Sequence, residues 1–137
     1  MQYRFDSVTE LVNGYLVPAA HAHGKQISAA VFPGPTLARE MVRQDWGRWD
    51  LDAFLPMLYH NFYEASPSWV RDETREGVAT VKKPVYSGLF AAGMDAAALE
   101  VVIAAALDGG AAGVSIFSAR AMDDAKWKVL AKASGTA

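Results

Sequence analysis

Four short apolar segments alternate along the chain with longer stretches of helical pattern. They are Lys25–Phe32, Ala53–Tyr59, Pro84–Phe90 and Ala112–Phe117. Strands that alternate with helices about every 30 residues mark βαβ units and a parallel sheet. A complete (β/α)₈ barrel needs eight such units and about 250 residues. The expected fold is therefore α/β: four parallel βα units, half of a (β/α)₈ TIM-type barrel, in a single domain over residues 1–137.

Local signals place the helices. Ser7-Val-Thr-Glu10 fits a capping box, so the first helix is expected to start at Ser7, with Met1–Asp6 as the exit from an earlier strand. Pro18 should interrupt that helix, and Gly24 should end it. Pro35 suits the first turn of a helix over 36–43. Gln44–Asp52 is a tryptophan-bearing connection of one helical turn at most, and His60–Ala65 is a polar and aromatic loop. Ser66-Pro67 reads as cap and first helical residue of a helix to about Lys82. Asp95 can cap an alanine-rich helix that stops at Gly109-Gly110, and Asp123–Ala133 is the last helix.

Side chains alternate across a strand, so each strand offers two sets. Ile27, Ala29, Val31, Phe54, Leu58, Val85, Leu89, Val114 and Ile116 form an apolar set suited to packing on helices. Ser28, Ala30, Phe32, Met57, Tyr59, Tyr86, Gly88, Phe90, Ser115 and Phe117 form a mixed set. Hydroxyls, aromatics and small residues together suit a barrel interior or a ligand-facing wall. Tyr59 and Phe117 stand at the carboxyl ends of their strands, where active sites of such barrels lie.

Composition narrows the classes. A net charge of −2 gives no footprint for nucleic acid or for an anionic membrane surface. There are no cysteines, hence no disulfide or thiol chemistry. No apolar run reaches the ~18 residues of a membrane span. The opening residues lack the basic and apolar regions of a signal peptide, so localisation stays open, an extracytoplasmic site included if the chain derives from a longer secreted protein.

Two stretches carry a resemblance. One is Ser28-Ala-Ala-Val-Phe-Pro33 followed by Gln44-Asp-Trp-Gly-Arg-Trp49 and Asp52-Ala-Phe-Leu-Pro-Met-Leu-Tyr59. The other is Val85-Tyr-Ser-Gly-Leu89 with Gly110-Ala-Ala-Gly-Val-Ser-Ile-Phe117. In this order they resemble the carboxyl-terminal half of the bacterial glycosyl-hydrolase-like barrels. The resemblance implies a TIM-type barrel acting on polysaccharide, with carbohydrate held at the carboxyl ends of the strands.

Sugar rings present C–H faces that stack on aromatic rings, while amides and imidazoles bond their hydroxyls. The expected substrate-binding residues are Trp46, Trp49, Tyr59, His60, Asn61, Tyr63, Tyr86 and Phe117, with Phe62 in the same loop. Trp46 and Trp49 could equally anchor a short helix in the core. Glycoside hydrolysis needs two carboxyl groups about 5–10 Å apart. No Asp or Glu lies inside the four strands; Asp45 and Glu64 are the catalytic candidates, surface charges otherwise. The remnant loop would set Tyr3 and Arg4 near the site rim. The chain is expected to lack a complete carboxylate pair by itself.

Other chemistry finds little support. His21 and His23 point apart on a helix, so no metal pair forms, and no cofactor is implied. Gly109–Gly113 precedes a strand, the wrong context for a phosphate cradle. Asp72, Glu73, Arg75 and Glu76 read as a solvated helix face. A half-barrel leaves two strand edges and the mixed set uncovered. The chain should then pair as a homodimer, join a missing amino-terminal half-barrel, or close as a three-layer domain unrelated to sugars. A carbohydrate-binding or interaction module without catalysis is the other functional reading.

Overall fold

The computed structural model describes residues 2–136. Helix α1 (Gln2–Glu10) runs through a π-helical segment, Leu11–Leu16, into α2 (Val17–Ala22). Then follow β1 (Ser28–Val31), α3 (Pro35–Val42), β2 (Ala53–Pro56), α4 (Pro67–Val81), β3 (Tyr86–Phe90), α5 (Ala96–Asp108), β4 (Gly113–Phe117) and α6 (Asp124–Ala133). Short 3₁₀ turns occupy Trp46–Arg48, His60–Tyr63 and Ala119–Ala121.

The α/β class and the alternation of strand and helix are as expected. The sheet differs. Two parallel two-stranded sheets form, β1 with β2 and β3 with β4, in place of one four-stranded sheet. Single parallel bridges, Phe54 to Val85 and Met57 to Gly88, join them. The reason lies in Pro56. The amides of Phe54 and Leu58 donate to the carbonyls of Pro84 (3.0 Å) and Gly88 (2.8 Å). The residue midway between them has no N–H, so the ladder loses its middle rung. Gly88 keeps the strands close, since a Cβ there would lie 2.8 Å from the Pro56 carbonyl oxygen.

The amino-terminal reading needs correction. α1 already starts at Gln2, and Ser7 sits within it with its hydroxyl bonded back to the Tyr3 carbonyl at 2.7 Å. That i−4 bond competes with capping, so Ser7 and Glu10 form no box. Tyr3 and Arg4 are exposed on this helix instead of lining a strand-end loop. Pro18 is accommodated as expected of a helix interruption: the π segment ends just before it, and Pro18 falls in the first turn of α2. Gly24 adopts φ +63° and ends α2.

Other caps agree with the sequence. Asp95 accepts from the Ala98 amide and Asp123 from the Lys126 amide, each starting a helix. Ser66 precedes Pro67 at the start of α4, but its hydroxyl pairs with Ser68 and caps no amide.

The core has two lobes. Val12, Val17, Val31, Ala38, Trp46, Trp49, Leu51, Phe54 and Val85 form one. Leu58, Val70, Leu89, Met94, Leu99, Val102, Ile103 and Ala106 form the other. The apolar strand set feeds both. It is not purely apolar, because Ser87 lies in it, fully buried, and shares a 2.7 Å hydrogen bond with Thr74 of α4. A buried hydroxyl with a partner keeps most of the bonding it had in water. The mixed set stays on the other side, where Ser28, Ala30, Tyr86 and Phe117 are exposed.

Candidate functional site

Four aromatic rings gather at the carboxyl ends of the strands. Phe90 and Phe117 are the last residues of β3 and β4 and face each other in register. Tyr59 follows β2, and Phe62 sits in the 3₁₀ turn behind it. Ring centroids lie 4.8 Å apart for Phe62 and Phe90, 5.5 Å for Tyr59 and Phe90, 5.7 Å for Tyr59 and Phe62, and 6.1 Å for Phe117 with Tyr59 and with Phe90. These are ordinary aromatic packing distances. Yet Phe62 is 64% and Phe117 57% exposed. The outer rings thus offer free faces, while Tyr59 and Phe90 form a half-buried floor.

Polar residues share the turn that carries Phe62. Asn61 is exposed in the same turn. His60 is buried, and burial lowers its pKa, so its imidazole is neutral at pH 7. Burial pushes the Tyr59 hydroxyl up, so it remains a neutral donor and acceptor. Tyr63 turns from the cluster toward Trp69, with centroids 5.0 Å apart. The Phe117–Ser118 peptide is cis, and the Phe117 carbonyl accepts from the Ala91 amide at 2.9 Å. Buried Lys126 braces this end. Its Nζ donates to the carbonyls of Ala121 (2.7 Å) and Ala91 (3.4 Å), tying the segments after β4 and β3 together.

Several expected site residues lie elsewhere. Trp46 is fully buried, its ring tilted against Phe54 at 5.3 Å and seated on Gly77, where a Cβ would come within 3.0 Å of it. Its Nε1 donates to the Phe32 carbonyl (3.2 Å), while Gln44 Oε1 accepts from the Phe32 amide (2.8 Å). Gln44 and Trp46 therefore clasp the residue that follows β1 and leave no indole face for a sugar. Trp49 is 8% exposed and belongs to the same lobe. Tyr86 is exposed but begins β3, at the opposite end from the aromatic cluster.

The two carboxylate candidates also part. Asp45 is buried and bonded to Arg39 and Arg48, a clamp that holds the turn after α3. Glu64 is exposed, in the left-handed conformation that ends the 3₁₀ turn of Phe62. Asp45 is thus committed to its arginines and is not free to pair with Glu64. Among the described residues no group of three His, Cys, Asp or Glu side chains converges to hold a metal.

Sequence reasoning put Phe62 with the candidate sugar-binding loop and Phe90 only in the mixed strand set. Alternation along β3 supplied the signal for Phe90. Phe62 lies in a turn, where alternation assigns no face. Compared with known proteins, the chain matches no family model, no curated protein and no solved structure.

Proposed function

We propose that this chain is half of a (β/α)₈-type barrel of the glycosyl-hydrolase-like kind, and that it holds carbohydrate on its exposed aromatic cluster without completing a catalytic carboxylate pair. The observation that carries the reading is the set Tyr59, Phe62, Phe90 and Phe117, with two rings largely exposed at one end of the strands. Aromatic faces that stay exposed near a neutral tyrosine hydroxyl and the exposed Asn61 amide suit a sugar, whose rings are apolar on the face and polar at the rim.

The chain order of the strand pairs and the two bridges between β2 and β3 support the half-barrel reading. An eight-stranded closure removes both free edges at once. Two copies related by a two-fold axis along the barrel, β1 of one beside β4 of the other, supply eight parallel strands. The exposed Ser28, Ala30 and Tyr86 favour such cover over a self-sealed three-layer domain. Glu64 stays the carboxylate nearest in sequence to the rings, and a partner half would bring any second acid.

The test is a glycan-binding titration with turnover followed in parallel. Saturable binding without hydrolysis, weakened in Phe117→Ala and Phe62→Ala and unchanged in Tyr86→Ala, supports the reading. Binding that ignores all three substitutions, or its absence across a broad glycan panel, contradicts it. Light scattering gives the mass of two chains if copies close the barrel, and of one chain if they do not.

A further inference from the structure

The acidic stretch of α4 is not the solvated face its composition suggests. Glu76 reaches across to α3, where its Oε1 accepts from the backbone amide (3.1 Å) and hydroxyl (2.6 Å) of Thr36. That carboxylate caps the start of α3, a favoured place for negative charge. Glu73, nearly one turn earlier on α4, points at the same place, with the Trp69 indole N–H as its side-chain donor. Its Oε2 is buried without a hydrogen-bond partner. It lies against the backbone of Gly34, so closely that a methyl group on that residue would overlap it. Gly34 has φ +52° and ψ 139°, a conformation left to glycine. The turn after β1 is thus shaped around one carboxyl oxygen.

We propose that the contact between Glu73 and Gly34 is a pH-sensitive latch that fastens the turn after β1 to helix α4. With the carboxyl neutral, Oε2 can rest unbonded against the Gly34 backbone. Ionised, the group is a partly buried charge with no cationic partner and one unbonded oxygen, beside a carboxylate already committed to α3. Such a charge gains by leaving for water.

The surroundings point the same way. Glu76 and Asp72 act on Glu73 from its own helix and Tyr63 from the 3₁₀ turn before α4, while Thr36 of α3 is committed to Glu76. Among the described residues no Lys, Arg or His forms an ion pair with it. Burial, then Glu76 and Asp72, push its carboxyl above the ordinary glutamate range, with the nearby Trp69 indole N–H working against them. A raised carboxyl pKa fixes the sign: the latch is fully closed below the unfolded value and opens as pH rises through the folded one. The segment it releases, Pro33–Thr36, lies at the same end of the strands as the aromatic cluster.

The experiment is an NMR titration of the whole chain. Side-chain carboxyl ¹³C shifts report Glu73 directly, and the Gly34 amide reports the turn. The expected result is a Glu73 midpoint above the ordinary value of about 4.3. A Gly34 transition should share that midpoint and vanish in Glu73→Gln, while persisting in Asp72→Asn. A Glu73 midpoint at or below the ordinary value in the unsubstituted chain overturns the proposal. So does a Gly34 transition that survives Glu73→Gln.

Discussion

On the helix side of the strands, Val31, Phe54, Leu58, Val85 and Leu89 are each at most 1% exposed; on the other side Ser28, Ala30, Tyr86 and Phe117 meet solvent. The same backbone segments supply both sets, so propensity does not separate them. What separates them is cover. Helices α3, α4 and α5 bring Ala38, Val70, Leu99, Val102, Ile103 and Ala106 onto one side only. The closed side holds the fold together by burial. The open side has aromatic rings with free faces, which is where a soluble chain places a surface for something else.

The sharpest way to break this comparison is at Trp46. Trp46→Ala empties a fully buried site and removes the hold on Phe32, and should cost about 3–5 kcal/mol in denaturant unfolding. A cost under about 1 kcal/mol would show that the ring is not core, since surface changes fall in that range. Next comes the buried hydroxyl pair. Thr74→Val leaves the Ser87 hydroxyl unbonded and should cost about 1–3 kcal/mol, much of it regained when Ser87→Ala is added. A double-mutant cycle with no coupling between the two sites would contradict the pairing.

Substitution on the open side should barely register in stability. Phe117→Ala is expected to change unfolding free energy by no more than about 0.5 kcal/mol. It should still weaken glycan binding about three- to tenfold, the loss of one stacked face. A large destabilisation with unchanged binding would reverse the roles assigned to the two sides.

The smallest effect concerns the amino ends of the strands. Asp52 accepts from His21 Nε2 (2.9 Å) and from the Ile27 amide (2.8 Å), joining α2 to the start of β1. The His21 bond, then that of Ile27, holds its carboxyl below the ordinary range. A depressed folded pKa makes its contribution present above the unfolded value and lost as pH falls through the folded one. Asp52→Asn should therefore lower stability slightly near neutrality and not at all in strong acid. Thermal unfolding as a function of pH measures this, and an equal loss at both extremes would show that the carboxylate charge is not involved.

These contrasts also explain what the sequence disclosed. Asp95 was legible as a cap because capping is local, one carboxylate and an amide three residues on, and Asp123, read as the first residue of the last helix, caps it in the same way. Ser7 and Glu10 have the same spacing but lie inside a helix, because Gln2–Asp6 continues it and no break precedes Ser7. The strands were placed within three residues at every boundary, yet the division of the sheet turned on Pro56, whose missing amide matters only once its neighbours on β3 are known. Trp46 looked like a sugar platform by chemistry alone. Its burial depends on Gly77, thirty-one positions later, where the absence of a side chain makes the seat. Glu73 was hidden in the same way, since a charge run gives no sign that one member faces a glycine turn. The aromatic cluster was legible in part, through the alternation that put Phe90 in the mixed set and the strand-end positions that singled out Tyr59 and Phe117.

On the proposed reading the open aromatic end, and not the buried tryptophans, is the binding surface. Aromatic ¹H–¹³C NMR during titration with a panel of oligosaccharides tests it most directly. The account predicts saturable shifts of the Tyr59, Phe62, Phe90 and Phe117 rings with at least one glycan, while the Trp46 ring stays still. Saturable shifts centred on Trp46 with the four rings unmoved, or no shift of those rings with any glycan, would contradict it.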